Sequence, residues 1–377
     1  MRAKGVRRRT LVVGASAITV VASVAAAGSV PAMAATNPTI PGTLTAIPVN
    51  GTYHIDQLFT GADGQTWFVT PQSQLGEISA SGQTTLTDIT LPHGANPAQI
   101  AAAGPEGVWT YSNTYRNQPG GSACYVGLIT PDGVLHDMAL PAGPVRDHSW
   151  CGGAAADASG DLWISLETDS CFYTTPCRVG VIADMTPSGK LTTFAPYRPG
   201  ARPSAMALGS NGAMLILEGF RDQAMVSYTS AGEQSSFGIN ARPWASGLVG
   251  LSDGMFWVHI QNFYLLYDSV TGTFGGGRTL ADYDNADTYV LPRQTGVAAN
   301  GSLWQAGQMG RTGTGVNRFF RLDTGLTISR SRAFPAATDG TQLLGNGTVA
   351  VSSTGVIWAG AVSTSGASYL VRFQPLP

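Results

Sequence analysis

The stretch Gly61–Pro92, GADGQTWFVTPQSQLGEISASGQTTLTDITLP, decides the fold because its grammar returns along the whole chain. A tight GxDG turn leads into a strand marked by Trp67. A loop, the short apolar run GEI, a second Gly turn and a strand ending in Leu-Pro follow. The first part recurs as AGPEGVW before Trp109, ADASGDLW before Trp163, GSNGAML before Leu215, LSDGMFW before Trp257, AANGSLW before Trp304 and SSTGVIW before Trp358. Marker spacings of about 42, 54, 52, 42, 47 and 54 residues are the period at which four-stranded units mean propeller blades. The expectation is an all-β, seven-bladed β-propeller.

Within the first unit, HIDQLF (54–59) reads as the innermost strand, TWFV (66–69) as the second, LGEIS (75–79) as the third and TLTDITL (85–91) as the outermost. The Gly turns then share one face of the disc. The second-to-third loops and blade-to-blade crossovers share the other, and their variable length on a rigid scaffold is where binding residues gather.

The two ends of the chain complement each other. LTAIPV (44–49) is an outer strand without its inner partners, and SYLVRF (368–373) is a third strand with no fourth after it. Pairing them closes the ring and removes two exposed edges. The domain is therefore read as 44–377, preceded by an exposed lead-in over 35–43.

Residues 1–34 read as a secretion signal peptide. They hold a basic start (Arg2, Lys4, Arg7, Arg8, Arg9), an apolar run from Leu11 and a small-residue site ending at Ala34. Arg8-Arg9-Thr10-Leu11 also faintly resembles a twin-arginine leader, and both export routes stay open. Beyond it no apolar run reaches the roughly 20 residues that span a bilayer. The expected product is secreted, extracellular and monomeric. With the leader removed, 16 Lys+Arg face 23 Asp+Glu, a net charge of −7. That balance, with Lys190 the one lysine left, excludes the basic footprint of nucleic-acid binding and argues against anionic membranes.

All four cysteines fall between residues 124 and 177, towards the variable face. Four cysteines permit three pairings. Cys171 with Cys177 and Cys124 with Cys151 is the preferred set, holding long loops that have little core of their own. A zinc site is the alternative, and these spacings do not match one. The repeated tryptophans read as inter-blade packing. Trp150 and Trp244 fall outside the repeat position, in crossovers, and join Tyr115 and Tyr173 as candidate ligand-binding aromatics.

The units GADGQTWFV…LGEISASGQTTLTDITLP and ANPAQIAAAGPEGVWT resemble those of the streptogramin B lyase family, over about residues 44–377. The resemblance implies a seven-bladed ring. It also implies opening of a cyclic depsipeptide by β-elimination at its ester, with Mg²⁺. Such chemistry needs a base for an α-proton, stabilisation of an enolate and help for a leaving carboxylate. The family places a His after the blade-opening proline and a Glu after the second strand's Trp. Here the matching His positions hold Ala98, Gly152, Ser204 and Arg293, and the matching acid appears once, as Glu218.

Substitutes are few. His148 stands beside Asp147 in the crossover before the third blade, with Glu167 shortly after Trp163. His259 ends a second strand and is expected to face Trp244. Its bland reading is strand-end packing; that of His148 is a solvated loop histidine, and that of Glu218 is a local ion pair near Arg221. His54 and His136 read as strand residues and His93 as a loop residue. GTFGGGR (272–278) reads as a Gly-rich loop without the strand-to-helix context that phosphate binding requires. Two functions of different class remain. One is a C–O lyase acting on an ester or depsipeptide; the other is a non-catalytic propeller binding a peptide-like ligand, glycan or protein, with Arg293 among its candidate contacts.

Overall fold

The computed structural model describes residues 38–376 except 50–53, 62–64, 72–73, 80–81, 89–98, 105, 114–123, 131–133, 139, 141–148, 169–179, 198–201, 210–211, 220–223, 239–244, 252–253, 261–262, 280–287, 290–294 and 310–315. Residues 1–34, read as a leader, lie outside them, as do Cys171 and Cys177. Seven antiparallel sheets follow one another as the blades of a propeller. Among the described residues no helix is long and apolar enough to cross a membrane.

An opening strand β1 (Gly42–Pro48) precedes the first blade, which is β2 (Gln57–Thr60), β3 (Thr66–Val69), β4 (Gln74–Ile78) and β5 (Thr84–Asp88). The second blade is β6 (Gln99–Gly104), β7 (Gly107–Asn113), β8 (Cys124–Ile129) and β9 (Leu135–Met138). The third is β10 (Ser149–Ala156), β11 (Leu162–Thr168), β12 (Val181–Met185) and β13 (Leu191–Phe194). The fourth is β14 (Arg202–Leu208), β15 (Met214–Gly219), β16 (Ala224–Tyr228) and β17 (Gln234–Gly238). The fifth is β18 (Ala245–Gly250), β19 (Met255–Ile260), β20 (Phe263–Asp268) and β21 (Thr273–Thr279). In the sixth, two short pieces, β22 (Thr288–Tyr289) and β23 (Gly296–Val297), share the inner position beside β24 (Leu303–Met309), β25 (Val316–Leu322) and β26 (Ile328–Arg330). The last is β27 (Leu343–Val351), β28 (Ile357–Ser363) and β29 (Ser368–Pro375). GTFGGGR, read as a loop, is therefore mostly strand β21, because its backbone pairs with β20 from Phe263↔Thr279 to Asp268↔Thr273.

The turns repeat one hydrogen-bond pattern. Asp157 N–H donates to the Asp161 carbonyl at 3.0 Å, and Gly160 N–H returns to the Asp157 carbonyl at 3.1 Å. The fourth residue must then adopt a left-handed backbone, and Gly160 does so at φ 84°. The same geometry recurs at Gly212, Gly301 and Gly355 before second strands, at Gly82, Gly189 and Gly232 before outer strands, and at Gly366 between the second and third strands of the last blade. One turn departs from it: Leu326 holds φ 64° where the other outer turns have glycine. Its side chain packs with Leu322, Ile328 and Leu266, a contact that offsets the backbone cost of roughly 1–2 kcal/mol.

Ring closure follows the expected course. β1 lies antiparallel on β29 in unbroken register from Gly42↔Pro375 to Pro48↔Tyr369. The lead-in is exposed at Pro38, Thr39, Pro41 and Thr43 but not at Ile40. Ile40 is 6% exposed, inside the apolar cluster of Trp304, Phe319, Val371 and Phe373. Its N–H donates to the Arg330 carbonyl at 2.7 Å, so the segment also ties down the sixth blade.

Side chains then lock adjacent blades. Gln57 pairs with the Ile100 backbone through both amide atoms, each at 2.7 Å. Trp109 and Trp257 are buried as expected. Each also donates its indole N–H, at 2.9 Å, to the turn glycine of the following blade, Gly160 and Gly301. Asn346 donates to the Ile55 carbonyl and links the last blade to the first.

The Cys124–Cys151 disulfide is present. Both cysteines were expected to hold long loops. Instead Cys124 opens β8 and Cys151 lies in β10, 6% and 2% exposed, so the bond staples two blades within their shared core. Its span of 27 residues corresponds to about 3.5 kcal/mol in the chain-entropy account.

The buried clasp makes a specific demand. Ile40→Ala should cost about 2–4 kcal/mol in chemical denaturation. A loss below about 0.5 kcal/mol, the scale of a surface position, would mean the lead-in adds nothing to closure.

Candidate functional site

On the face opposite the tight turns, second strands end, third strands begin, and the chain crosses to the next blade. Five inner strands carry a register shift against their second strand near this end. The shifts fall between Ile100 and Ala102, Cys151 and Ala154, Pro203 and Ala205, Ala245 and Gly247, and Gly345 and Val349. A β-bulge re-aims the residues it contains. Gly152 and Ser204, two of the positions where the resemblance expects histidine, sit in these bulges. Ser204 is exposed, and its hydroxyl reaches the Leu217 carbonyl at 3.4 Å. Neither Gly152 nor Ser204 can abstract a proton from carbon at neutral pH.

Glu218 is not at the surface, and Arg221, read as its ion-pair partner, lies outside the described residues. Glu218 lies in β15, 1% exposed, facing Tyr228 of β16. The Tyr228 hydroxyl donates to Glu218 Oε1, and Tyr197 N–H donates to both, at 3.0 Å to Oε1 and 2.9 Å to the Tyr228 hydroxyl. Burial and the bond to Glu218 push the Tyr228 phenol well above its ordinary value. The carboxylate therefore holds the crossover after β13 in place. Sequence reasoning missed the partners because Tyr197 and Tyr228 are 21 and 10 residues away.

His259 lies within β19 and stacks on Tyr264, ring centroids 4.5 Å apart and planes 20° from parallel. Burial raises the Tyr264 phenol, whose oxygen accepts from the Gln305 amide. This is core packing between the fifth and sixth blades. Trp244, the expected partner, lies outside the described residues. So do His148, Asp147, Tyr115, Tyr173 and Arg293. Trp150, expected in a crossover, belongs to β10, where its backbone pairs with that of Glu167. The third-blade entrance thus places Glu167 directly across from the strand that His148 leads into.

A second set of acids was not foreseen. Asp157, Asp161 and Asp184 bring carboxylate oxygens within 4.8 Å of one another. Asp157 and Asp161 belong to the turn before β11, and Asp184 of β12 joins them because it pairs across from Trp163. Asp157 accepts from Ser159 N–H at 2.8 Å, Asp161 N–H at 3.1 Å and the Trp163 indole at 3.3 Å. Oxygen atoms of this kind suit a hard divalent cation such as Mg²⁺. The set lies on the tight-turn face, across the disc from the bulges. Burial first, and then the charges of Asp161 and Asp157, push the Asp184 carboxyl up to about 6.

The chain is a seven-bladed β-propeller. No protein-family model matches it, and no curated protein matches it. Solved structures do. A streptogramin B lyase aligns at 15% identity over 88% of this chain and 98% of its own, with a TM-score of 0.59. A catalytically inactive virginiamycin B lyase from Staphylococcus aureus, solved with quinupristin, aligns at 17% identity over 89% and 100%, TM-score 0.59. YCF48 bound to a D1 peptide aligns at 14% identity over 89% and 97%, TM-score 0.54. At such identities the likeness establishes the shared fold.

Two outcomes follow from the acids. Asp184 binds its proton more tightly folded than unfolded. Its contribution is complete below about pH 4 and lost as pH rises through about 6. Asp184→Asn should therefore raise the unfolding free energy at pH 7.5 in chelator, by no more than about 1 kcal/mol for a part-exposed group, read by urea titration. The gain should vanish at pH 4, and an equal gain at both pH values would remove the electrostatic origin. For Glu218, Gln keeps an acceptor for Tyr228 and should cost under about 1 kcal/mol. Glu218→Ala strands buried donors and should cost about 2–4 kcal/mol, read by urea titration.

Proposed function

We propose that this protein is an exported propeller that binds a peptide-like or depsipeptide ligand on the face opposite its tight turns, without opening it. One observation carries the reading: Glu218, the acid matching the lyase pattern, is buried under Tyr228 and Tyr197, with Ser204 in place of its histidine partner. A carboxylate committed in this way is a structural group. The peptide character of the ligand is supported by the bound molecules of two neighbours, quinupristin and a D1 peptide. Export is supported by the leader-like first residues, and by two cysteines that are bonded in an interior staple. Aromatic residues on that face, Tyr197 at 43% exposure among them, supply flat contact area at low entropic cost.

A second reading, a C–O lyase, is favoured by the third-blade entrance, where the Glu167 backbone pairs with Trp150 just after Asp147 and His148. In it, His148 takes the α-proton, the electron pair forms a carbon–carbon double bond, the Cβ–O bond breaks and the carboxylate departs. Asp147 or Glu167 orients the imidazole. Mg²⁺, implied by the resemblance, would assist the leaving carboxylate.

Calorimetry and chromatography with quinupristin, in Mg²⁺ and in chelator, separate the two. Binding with recovery of intact ligand is the expected result. Conversion to a ring-opened isomer of unchanged mass, reduced about 100-fold by His148→Ala, would establish the lyase instead. Absence of both binding and turnover across depsipeptides and peptides, with binding on a glycan array, would overturn the peptide reading.

A further inference from the structure

The chain holds four Asn–Gly steps, at residues 50, 211, 300 and 346, and their side-chain amides are not equally free to react. Asn50 and Asn211 lie outside the described residues. Asn300 sits in the turn before β24 and Asn346 in the bulge of β27, each followed by a left-handed glycine, Gly301 at φ 77° and Gly347 at φ 83°. Asparagine is thermolabile where the backbone nitrogen of the next residue can reach its side-chain carbonyl carbon. Glycine, with no Cβ, leaves that approach open.

The two amides are held differently. Asn346 is half-buried, and both ends of its amide are engaged: Nδ2 donates to the Ile55 carbonyl, while Oδ1 accepts from the Thr348 N–H at 3.1 Å and the Thr348 hydroxyl at 2.7 Å. Gly347 and Thr348 behind it are buried. Asn300 is exposed, and its side-chain amide makes one hydrogen bond among the described residues, accepting from the Ser302 N–H at 3.0 Å. The rest of that turn is held by backbone alone, Gly301 N–H on the Ala298 carbonyl and Ala298 N–H on the Ser302 carbonyl, each at 2.9 Å.

We infer that Asn300 is a site of spontaneous deamidation, and that its reaction loosens the joint between the fifth and sixth blades. The Gly301 nitrogen, deprotonated by solvent hydroxide, attacks Asn300 Cγ; the N–Cγ bond forms, the Cγ–Nδ2 bond breaks and ammonia leaves. Water then opens the five-membered imide at one of its two carbonyls. One opening leaves an aspartyl residue, the other an isoaspartyl residue whose chain runs on through Cβ and Cγ. The isoaspartyl link adds a methylene to the main chain of a turn whose type depends on its length. The Gly301 carbonyl in that turn accepts the Trp257 indole N–H at 2.9 Å, so a lengthened turn moves the acceptor by which the fifth blade holds the sixth. The Trp109 joint ends on Gly160, which follows Ser159 and has no such amide beside it. The site is on the tight-turn face and does not depend on the ligand proposed for the other.

Peptide mapping by mass spectrometry, with isoaspartate labelling, tests this on the full chain incubated at pH 9. Each hydrogen bond that must open lowers the reactive population by about 2- to 10-fold, so the two additional bonds on the Asn346 amide should make Asn300 react about 5- to 100-fold faster. The urea midpoint should fall on ageing by more in the parent protein than in Asn300→Ser, each compared with its own fresh sample. Equal or faster reaction at Asn346, or no detectable product at Asn300 once a free peptide of residues 297–304 has converted fully, would overturn the site. Equal falls in midpoint for the two proteins would overturn the loosening of the Trp257 joint.

Discussion

A ring of sheets is only as good as its last joint, because each blade buries one face against the blade before it and the other against the blade after. In this chain the joint is the antiparallel pairing of Gly42–Pro48 with Ser368–Pro375. Without it, β29 would present a long apolar edge of the kind that recruits other chains. The joint is reinforced twice. Ile40 enters the core and binds Arg330 of the sixth blade, while Asn346 reaches the Ile55 carbonyl of the first. Residues 40 and 346 are far apart in sequence, yet both serve one closure.

The remaining joints are repeated and local. Trp109 and Trp257 each fill the wedge between blades and spend their indole N–H on the next blade's turn. The turn must therefore keep one shape, with a left-handed residue recurring in it, and the two kinds of hairpin turn share a face because successive strands of a blade alternate in direction. All freedom to vary is displaced to the other face. There the crossovers differ in length and the inner strands bulge, and a ligand would meet residues selected for chemistry more than for closure.

A shared fold does not carry its activity with it. Glu218 illustrates the point physically. Its position in the repeat is that of a lyase acid, but a carboxylate at 1% exposure is tolerable only with donors around it, and Tyr228 and the Tyr197 backbone provide them. Those same donors remove it from solvent and substrate. His259, similarly suggestive in sequence, is engaged with the Tyr264 ring.

Blade number, strand order and closure were legible in the chain itself because they depend on local signals at a fixed period: a turn glycine, an apolar marker, and one unmatched strand at each end. TWFV (66–69) coincides with β3 for that reason. The Cys124–Cys151 pairing was legible as one of three possibilities. What tertiary structure alone decided is cross-strand and cross-blade. Asp184 joins Asp157 and Asp161 through its pairing with Trp163, and Glu218 meets Tyr197 through a crossover. Periodicity tells which face of a strand is buried; it carries no record of which atom from another strand arrives opposite, and that meeting is where charge, hydrogen bonding and binding are determined.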